Sequence, residues 1–270
     1  MMTWLEALVL GLIQGLTEFL PVSSSGHLQI FSTLFGIQGE ENLTFAVAVH
    51  AATVCSTIVV LRNEIWDLLK GLFRFSWNPE TIYIAKIALS MIPVAFVGVF
   101  FKDYVEALFG SGLLVVGVAL LITACLLAFA YYARPRLKTD ISFRDAFIIG
   151  VAQACAVLPG LSRSGSTIIG GILAGTSRTV AAEFTFFLGI PVMFGASLLK
   201  ILKFGFSFTG TEVMILIVGM VVAFVVSIIA IKFLMGYIKK HDFKAFGWYR
   251  IALGILVLGY FIGKTLLGCK

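Results

Sequence analysis

Residues 14–27 read QGLTEFLPVSSSGH and place Glu18, three consecutive serines (Ser23, Ser24, Ser25) and His27 in a chain that is otherwise overwhelmingly apolar. Residues 159–167, PGLSRSGST, put Arg163 in the same kind of setting. Polar and ionisable groups at membrane depth cost several kcal/mol each when left unpaired, so both clusters are candidate functional sites. An acid, a base, hydroxyls and a guanidinium are the parts needed to handle a phosphate.

In the first cluster Gln14 and Glu18 are four residues apart and share one face of a helix. Pro21 ends or kinks that helix, and Val22–Gly26 is a loop opening into the next one. Successive backbone N–H groups at such a helix start favour an anion. His27 lies within side-chain reach of a group bound there and can serve as base, acid or nucleophile, with Glu18 orienting it. The competing reading is that the serines only cap helices and satisfy backbone, and for Ser23 it has equal weight. In the second cluster Pro159-Gly160 breaks a helix and Ser162-Arg163-Ser164-Gly165-Ser166-Thr167 opens the next. Arg163 presents a planar fork suited to phosphate and needs an anion, supplied by Glu18, Glu183 or a substrate. Other ionisable residues read as structural: Glu6 as a solvated or capping residue, His50 as a satisfied packing residue, His241 as a solvated member of a basic loop, and Arg178 and Glu183 as an interfacial anchor or local ion pair.

The elements that must position these groups follow from composition. The 270 residues are 60% hydrophobic and 13% charged, with mean hydropathy +1.04, a balance that excludes a soluble domain of this size and implies a polytopic membrane protein. Crossing a core of ~30 Å takes about 20 residues. Six stretches qualify: 43–61, 86–101, 113–132, 180–199, 213–235 and 247–267. The second and fourth carry Pro93 and Pro191, each in an Ile-Pro-Val triplet, where kinks are expected. Lys and Arg are absent from the first 61 residues and cluster at 62–86, 133–144 and 236–250. Six crossings then alternate correctly, with both termini outside. Two apolar stretches, 5–35 and 145–175, are interrupted by Pro, Gly and Ser. A single crossing by each would break the charge alternation, whereas entering and returning on one side preserves it. They therefore read as re-entrant helix–loop–helix hairpins, the first from outside and the second from inside, with their broken backbone covered by protein or a polar cavity.

Shifted by 139 residues, Gly11, Gln14, Ser23, Ser25 and Gly26 fall on Gly150, Gln153, Ser162, Ser164 and Gly165, and Phe45 falls on Phe184. With hairpins entering from opposite faces, this favours an inverted-topology repeat within one membrane domain, residues 1–132 and 140–270, with the site where the two broken elements meet. The four cysteines, Cys55, Cys125, Cys155 and Cys269, have no CxxC spacing and read as small buried hydrophobes. The N-terminus lacks the basic region of a signal peptide. No P-loop, HExxH or zinc spacing is present.

EFLPVSSSGH (18–27) and PGLSRSGST (159–167) resemble the signature motifs of the BacA/UppP family of undecaprenyl-diphosphate phosphatases. The similarity extends over essentially the whole chain, including the kinked Ile-Pro-Val spans and Gly247-Trp248-Tyr249-Arg250 near the end. The resemblance implies an all-α integral membrane hydrolase of the plasma membrane, with a site open to the outer side, acting on a polyprenyl diphosphate lipid and recycling the cell-wall lipid carrier. It implies dependence on Mg²⁺ or Ca²⁺. Carried over by motif position, Glu18, Ser24 and His27 are catalytic, Ser25 assists, and Arg163 clamps the phosphates with Ser23, Ser162, Ser164 and Thr167 alongside. Gln14 is a departure, because some members carry a Glu there, so metal binding would rest on Glu18 and the phosphates. The type-2 phosphatidate phosphatases also pair a Gly-His with a Ser-Arg motif, but place their nucleophilic His six residues after the Arg. That position here is Ile169, so the nucleophile is Ser24 or His27. A transporter or lipid flippase is the rival reading of an inverted repeat, and a non-catalytic polyprenyl-phosphate binder is a third. No nucleic-acid partner is expected, and a homodimer is an open alternative to a monomer.

Overall fold

The computed structural model describes residues 2–37, 40–109, 112–132, 138–204 and 210–266. Among them every regular element is helical. In chain order these are α1 (Trp4–Thr17), α2 (Ser24–Phe35), α3 (Glu40–Val60), α4 (Arg62–Leu72), α5 (Pro79–Phe100), α6 (Lys102–Phe109), α7 (Leu113–Tyr132), α8 (Phe143–Cys155), α9 (Arg163–Ala174), α10 (Arg178–Phe204), α11 (Gly210–Ile238) and α12 (Lys244–Leu266). Six are long and apolar enough to cross a membrane: α3, α5, α7, α10, α11 and α12. They coincide with the six expected spans, and the chain is a multi-pass membrane protein. The second span starts earlier than expected, at Pro79. Asn78 caps it by accepting from the Thr81 amide, and Pro79 occupies the first turn, where a missing N–H is harmless. The basic segment 133–144 is described only from Lys138 onward; Arg134 and Arg136 lie outside the described residues.

The two interrupted stretches become the helix pairs α1–α2 and α8–α9. Each starts from a capping box, Thr3 with Glu6 and Ser142 with Asp145, which satisfies two of the amides a helix start leaves open. Glu6 is thus a capping residue, as its position implied. Each pair restarts from a serine. Ser23 Oγ accepts from the Gly26 amide at 3.2 Å, and Ser162 Oγ accepts from the Gly165 amide at 3.0 Å. Both second helices end on a left-handed glycine, Gly36 and Gly175.

Packing crosses the chain in both directions. α1 lies against α11 and α8 against α5, while α7 pairs with α12. Small residues allow these close approaches. A Cβ on Gly11 would lie 2.6 Å from the Gly219 carbonyl oxygen, and one on Gly150 would lie 2.5 Å from that of Ser90. Gly117 of α7 receives Leu258 of α12, and Gly254 of α12 receives Leu121 of α7.

The cysteines depart from expectation. Cys55, Cys125 and Cys155 are exposed rather than buried, and Cys269 lies outside the described residues. An outward face in a membrane meets acyl chains, so a weakly polar thiol is tolerated there as well as in the core.

Candidate active site

The two breaks meet. A Cβ on Gly26 would lie 3.4 Å from Gly160 Cα, and one on Gly165 would lie 3.4 Å from Pro21 Cβ. Gly160 has φ +87°, and a side chain there would collide with α7 at Val116 and Ala119, so glycine is required. Ser23 adopts φ +75° without being glycine, a strained conformation held where the chain re-enters a helix. Beside this junction is a chamber of about 210 Å³ lined by Glu18, Ser23, Ser24, Ser25, His50, Ser162, Arg163 and Ser164, with apolar walls that include Val192 and Met193. The first residue of α2 is Ser24 and that of α9 is Arg163, so two helix N-termini, each suited to an anion, open at one place.

Glu18 is the hub. Its Oε1 accepts from Arg163 Nη2 at 2.6 Å. Its Oε2 accepts from Ser24 Oγ at 2.6 Å and from Gln14 Nε2 at 2.9 Å. A buried carboxylate or guanidinium alone would be severely penalised, and each is the other's compensation. Arg163 also points Nη2 at Met193 Sδ, 3.0 Å away. Gly189 leaves room for the guanidinium, since a Cβ there would lie 2.5 Å from Nη1.

Not every residue expected at the site reaches the chamber. Ser23, Ser24, Ser25, Ser162, Arg163, Ser164 and Glu18 do. Gln14 is behind Glu18 and fully buried. Thr167 is also behind the wall, donating to the Arg163 carbonyl oxygen at 2.9 Å and accepting from Thr185. Ser164 Oγ donates across to the Leu20 carbonyl, tying the second helix pair to the first. The expected Glu18–His27 contact is not formed. His27 Nδ1 lies 2.7 Å from the Ser23 carbonyl oxygen and Nε2 lies 2.7 Å from the Tyr249 hydroxyl, with the two rings stacked at 5.7 Å. One helical turn past Ser23, its ring folds back onto the Ser23 carbonyl and away from the chamber.

Three residues of the site were not picked out by sequence reasoning. His50, read as packing, lines the chamber with Nε2 3.5 Å from Glu18 Oε2. This is a correction: α3 runs past the end of α1 and brings His50 to the acid. Tyr249 holds His27. Arg250 is fully buried, and its guanidinium donates to the carbonyls of Pro21 (3.2 Å), Gly160 (3.0 Å) and Leu120 (3.3 Å). It therefore staples both breaks to α7. An intramembrane Arg was a signal in itself, but in the sequence Arg250 counts as the last member of the basic segment 236–250, whereas the structure buries it.

The donor set does not make a cage for a resident Mg²⁺ or Ca²⁺. With Gln14 in place of an acid, Glu18 is the only carboxylate lining the chamber among the described residues, and both its oxygens are engaged. Among the described residues no group of three or more His, Cys, Asp or Glu could hold a metal ion.

The family described as bacitracin resistance protein BacA matches residues 7–256. A protein of Bacteroides thetaiotaomicron named undecaprenyl-diphosphatase is 56% identical over 260 residues, covering 95% of this chain and 98% of the relative. One of Bacteroides fragilis with the same name is 55% identical over the same coverage. A third, of Desulfitobacterium hafniense, is 46% identical over 276 residues, covering 97% of this chain and 98% of the relative.

Proposed function

The chain belongs to the BacA family, and on that premise we propose that it is a membrane phosphatase hydrolysing undecaprenyl diphosphate to undecaprenyl phosphate and inorganic phosphate. It thereby recycles the lipid carrier of cell-wall synthesis and confers bacitracin resistance. What carries this function is the Ser24–Glu18–Arg163 constellation: a hydroxyl 2.6 Å from a carboxylate that is itself paired with a phosphate-binding guanidinium.

The diphosphate head enters the chamber between the two helix pairs. Arg163 and the N-termini of α2 and α9 take up its negative charge, and the serine hydroxyls of both pairs donate to its oxygens. Phosphoryl transfer needs little beyond positioning and charge stabilisation. Ser24 is the nucleophile, because its hydroxyl already donates to a base within the chamber. His27 as nucleophile has less support, since both its nitrogens are engaged away from the chamber. A divalent cation belongs to this scheme as a counter-ion brought by the diphosphate, since Mg²⁺ commonly binds through substrate phosphates and retained waters.

The α1–α2 and α8–α9 pairs are re-entrant hairpins of an inverted repeat. Reciprocal packing supports this: α1 rests on α11 and α8 on α5, with matching glycines at each contact. The charge alternation of the loops supports a plasma-membrane protein whose chamber opens to the outer side.

Purified protein in detergent should release inorganic phosphate from farnesyl diphosphate. Absence of release with both Mg²⁺ and Ca²⁺ would sink the enzyme reading in favour of a flippase or binder. A trapped phosphoenzyme that survives acid identifies Ser24, and an acid-labile one identifies His27.

A further inference from the structure

We propose that His50 is the proton-holding group of this site, acting on Ser24 through Glu18. The proposal rests on the phosphatase reading above and adds a residue to it.

The argument starts from hydrogen-bond polarity. His50 Nδ1 lies 2.6 Å from the Ala46 carbonyl oxygen. A carbonyl only accepts, so the proton is on Nδ1, and in the neutral ring Nε2 carries a lone pair. That lone pair faces Glu18 Oε2 at 3.5 Å. Two acceptors facing one another repel, and a proton on Nε2 turns the repulsion into an ion pair. The same Oε2 receives the Ser24 hydroxyl at 2.6 Å. Serine, carboxylate and imidazole thus form a line with one carboxylate oxygen at its centre.

The bonding gives the line a direction. Both oxygens of Glu18 already accept hydrogen bonds, from Arg163, Gln14 and Ser24, whereas the Nε2 lone pair of His50 faces Oε2, so a proton lifted from serine comes to rest on His50. His27 cannot take this part in the geometry seen, because neither nitrogen faces the chamber. The ionisable side chains around the chamber are Glu18 from the end of α1, Arg163 from α9 and His50 itself; α10 contributes Val192, Met193, Ala196 and Ser197, and α11 contributes none. The His50 side chain is 28% exposed, so it can exchange protons with water through the chamber.

As Ser24 Oγ bonds to the terminal phosphorus, the bridging P–O bond breaks and the lipid monophosphate leaves with that electron pair. The serine proton passes to Glu18 Oε2 and on to His50 Nε2. Water then adds to the phosphoserine, Oγ departs with a proton returned through Glu18, and His50 takes the proton that the water gives up. Inorganic phosphate leaves, and His50 releases one proton to solvent.

The test compares wild type, His50→Gln, His50→Ala and His27→Gln, purified in detergent, with farnesyl diphosphate as probe over roughly pH 5 to 9. Expected for His50→Gln is a fall in kcat of about 10²-fold, KM within about twofold, and loss of the acidic limb of the wild-type kcat profile. His27→Gln should keep that limb. Thermal melting of each variant separates misfolding from lost chemistry, and His50→Gln keeps a side chain of similar reach if His50→Ala does not fold. Unchanged kcat and an unchanged acidic limb in His50→Gln overturn the proposal while leaving the phosphatase reading intact. Loss of the limb in His27→Gln instead also overturns it. No phosphate release by wild type removes the reading and this inference with it.

Discussion

In the α1–α2 pair the residue that opens the second helix is Ser24; in α8–α9, 139 residues later, it is Arg163. Around that difference the pairs are closely alike. A serine caps each restart, a left-handed glycine just past the end of each second helix donates its amide to carbonyls of the last turn, and Gly11 and Gly150 each touch a foreign backbone. The acids are not alike. Glu18 corresponds to Val157 and His27 to Ser166. Gln14 donates to Glu18, whereas the buried side chain of Gln153, at the corresponding position, has no hydrogen-bond partner among the described residues. The two helix pairs thus carry complementary chemistry, with the hydroxyl and its carboxylate on one and the guanidinium on the other. Neither charge is tolerable alone in a low-dielectric interior, so the halves must meet for either to persist.

The largest expected effect comes from removing what differs. Arg163→Ala and Ser24→Ala should each lower kcat/KM by on the order of 10³ or more, read as phosphate release from farnesyl diphosphate. An Arg163→Ala variant with normal turnover would end the division of labour between the pairs. Next comes the residue that both pairs share. Arg250→Met strips a donor from two broken turns and leaves buried carbonyls unsatisfied, a loss of about 3 kcal/mol or more, seen as a lower melting temperature in detergent together with lost activity. If only one turn depended on Arg250, activity would fall without the melt moving. The matched glycines test the likeness itself. Gly11→Ala and Gly150→Ala each force a methyl onto a backbone carbonyl, and each should cost about 2 kcal/mol. Unequal costs would show that the two contacts are not equivalent.

The smallest effect concerns the capping-box acid that opens each pair, Glu6 in α1 and Asp145 in α8, of which only Asp145 is buried. Asp145, in the first turn of α8, is buried and bonded to the Ser142 amide and hydroxyl and to Lys138 Nζ at 3.2 Å. Burial alone would raise its carboxyl, but those partners together hold it below the ordinary value of 3.8. A lowered folded value stabilises the protein above the unfolded value, and that contribution is lost as the pH falls through the folded one. Wild type should therefore lose more stability than Asp145→Asn on acidification below about pH 4. Parallel acid melts of the two proteins measure it, and identical slopes would remove Asp145 from the account.

The six spans, both interruptions, the serine-capped restarts and the residues of the Glu18–Ser24 and Arg163 clusters were legible in the amino-acid sequence. Each is a sum over consecutive residues: hydropathy over a window, a proline that cannot continue a helix, a serine beside open amides. Three things were not legible. His50 sits on α3 on one face with Thr53, Ser56 and Thr57, hydroxyls that can bond their own helix, so that face reads as packing as readily as a site. His27 was assigned to Glu18 by nearness in sequence, but its ring turns to Ser23 and to Tyr249, 222 residues away. Arg250 gave no sign that it would hold Pro21 and Gly160. The chain by itself determined which segments are helices at membrane depth and which side chains those segments must pay to bury. Only the tertiary structure decided which of them meet, because that depends on how each helix is rotated and which helix lies beside it, and neither is a property of any local stretch.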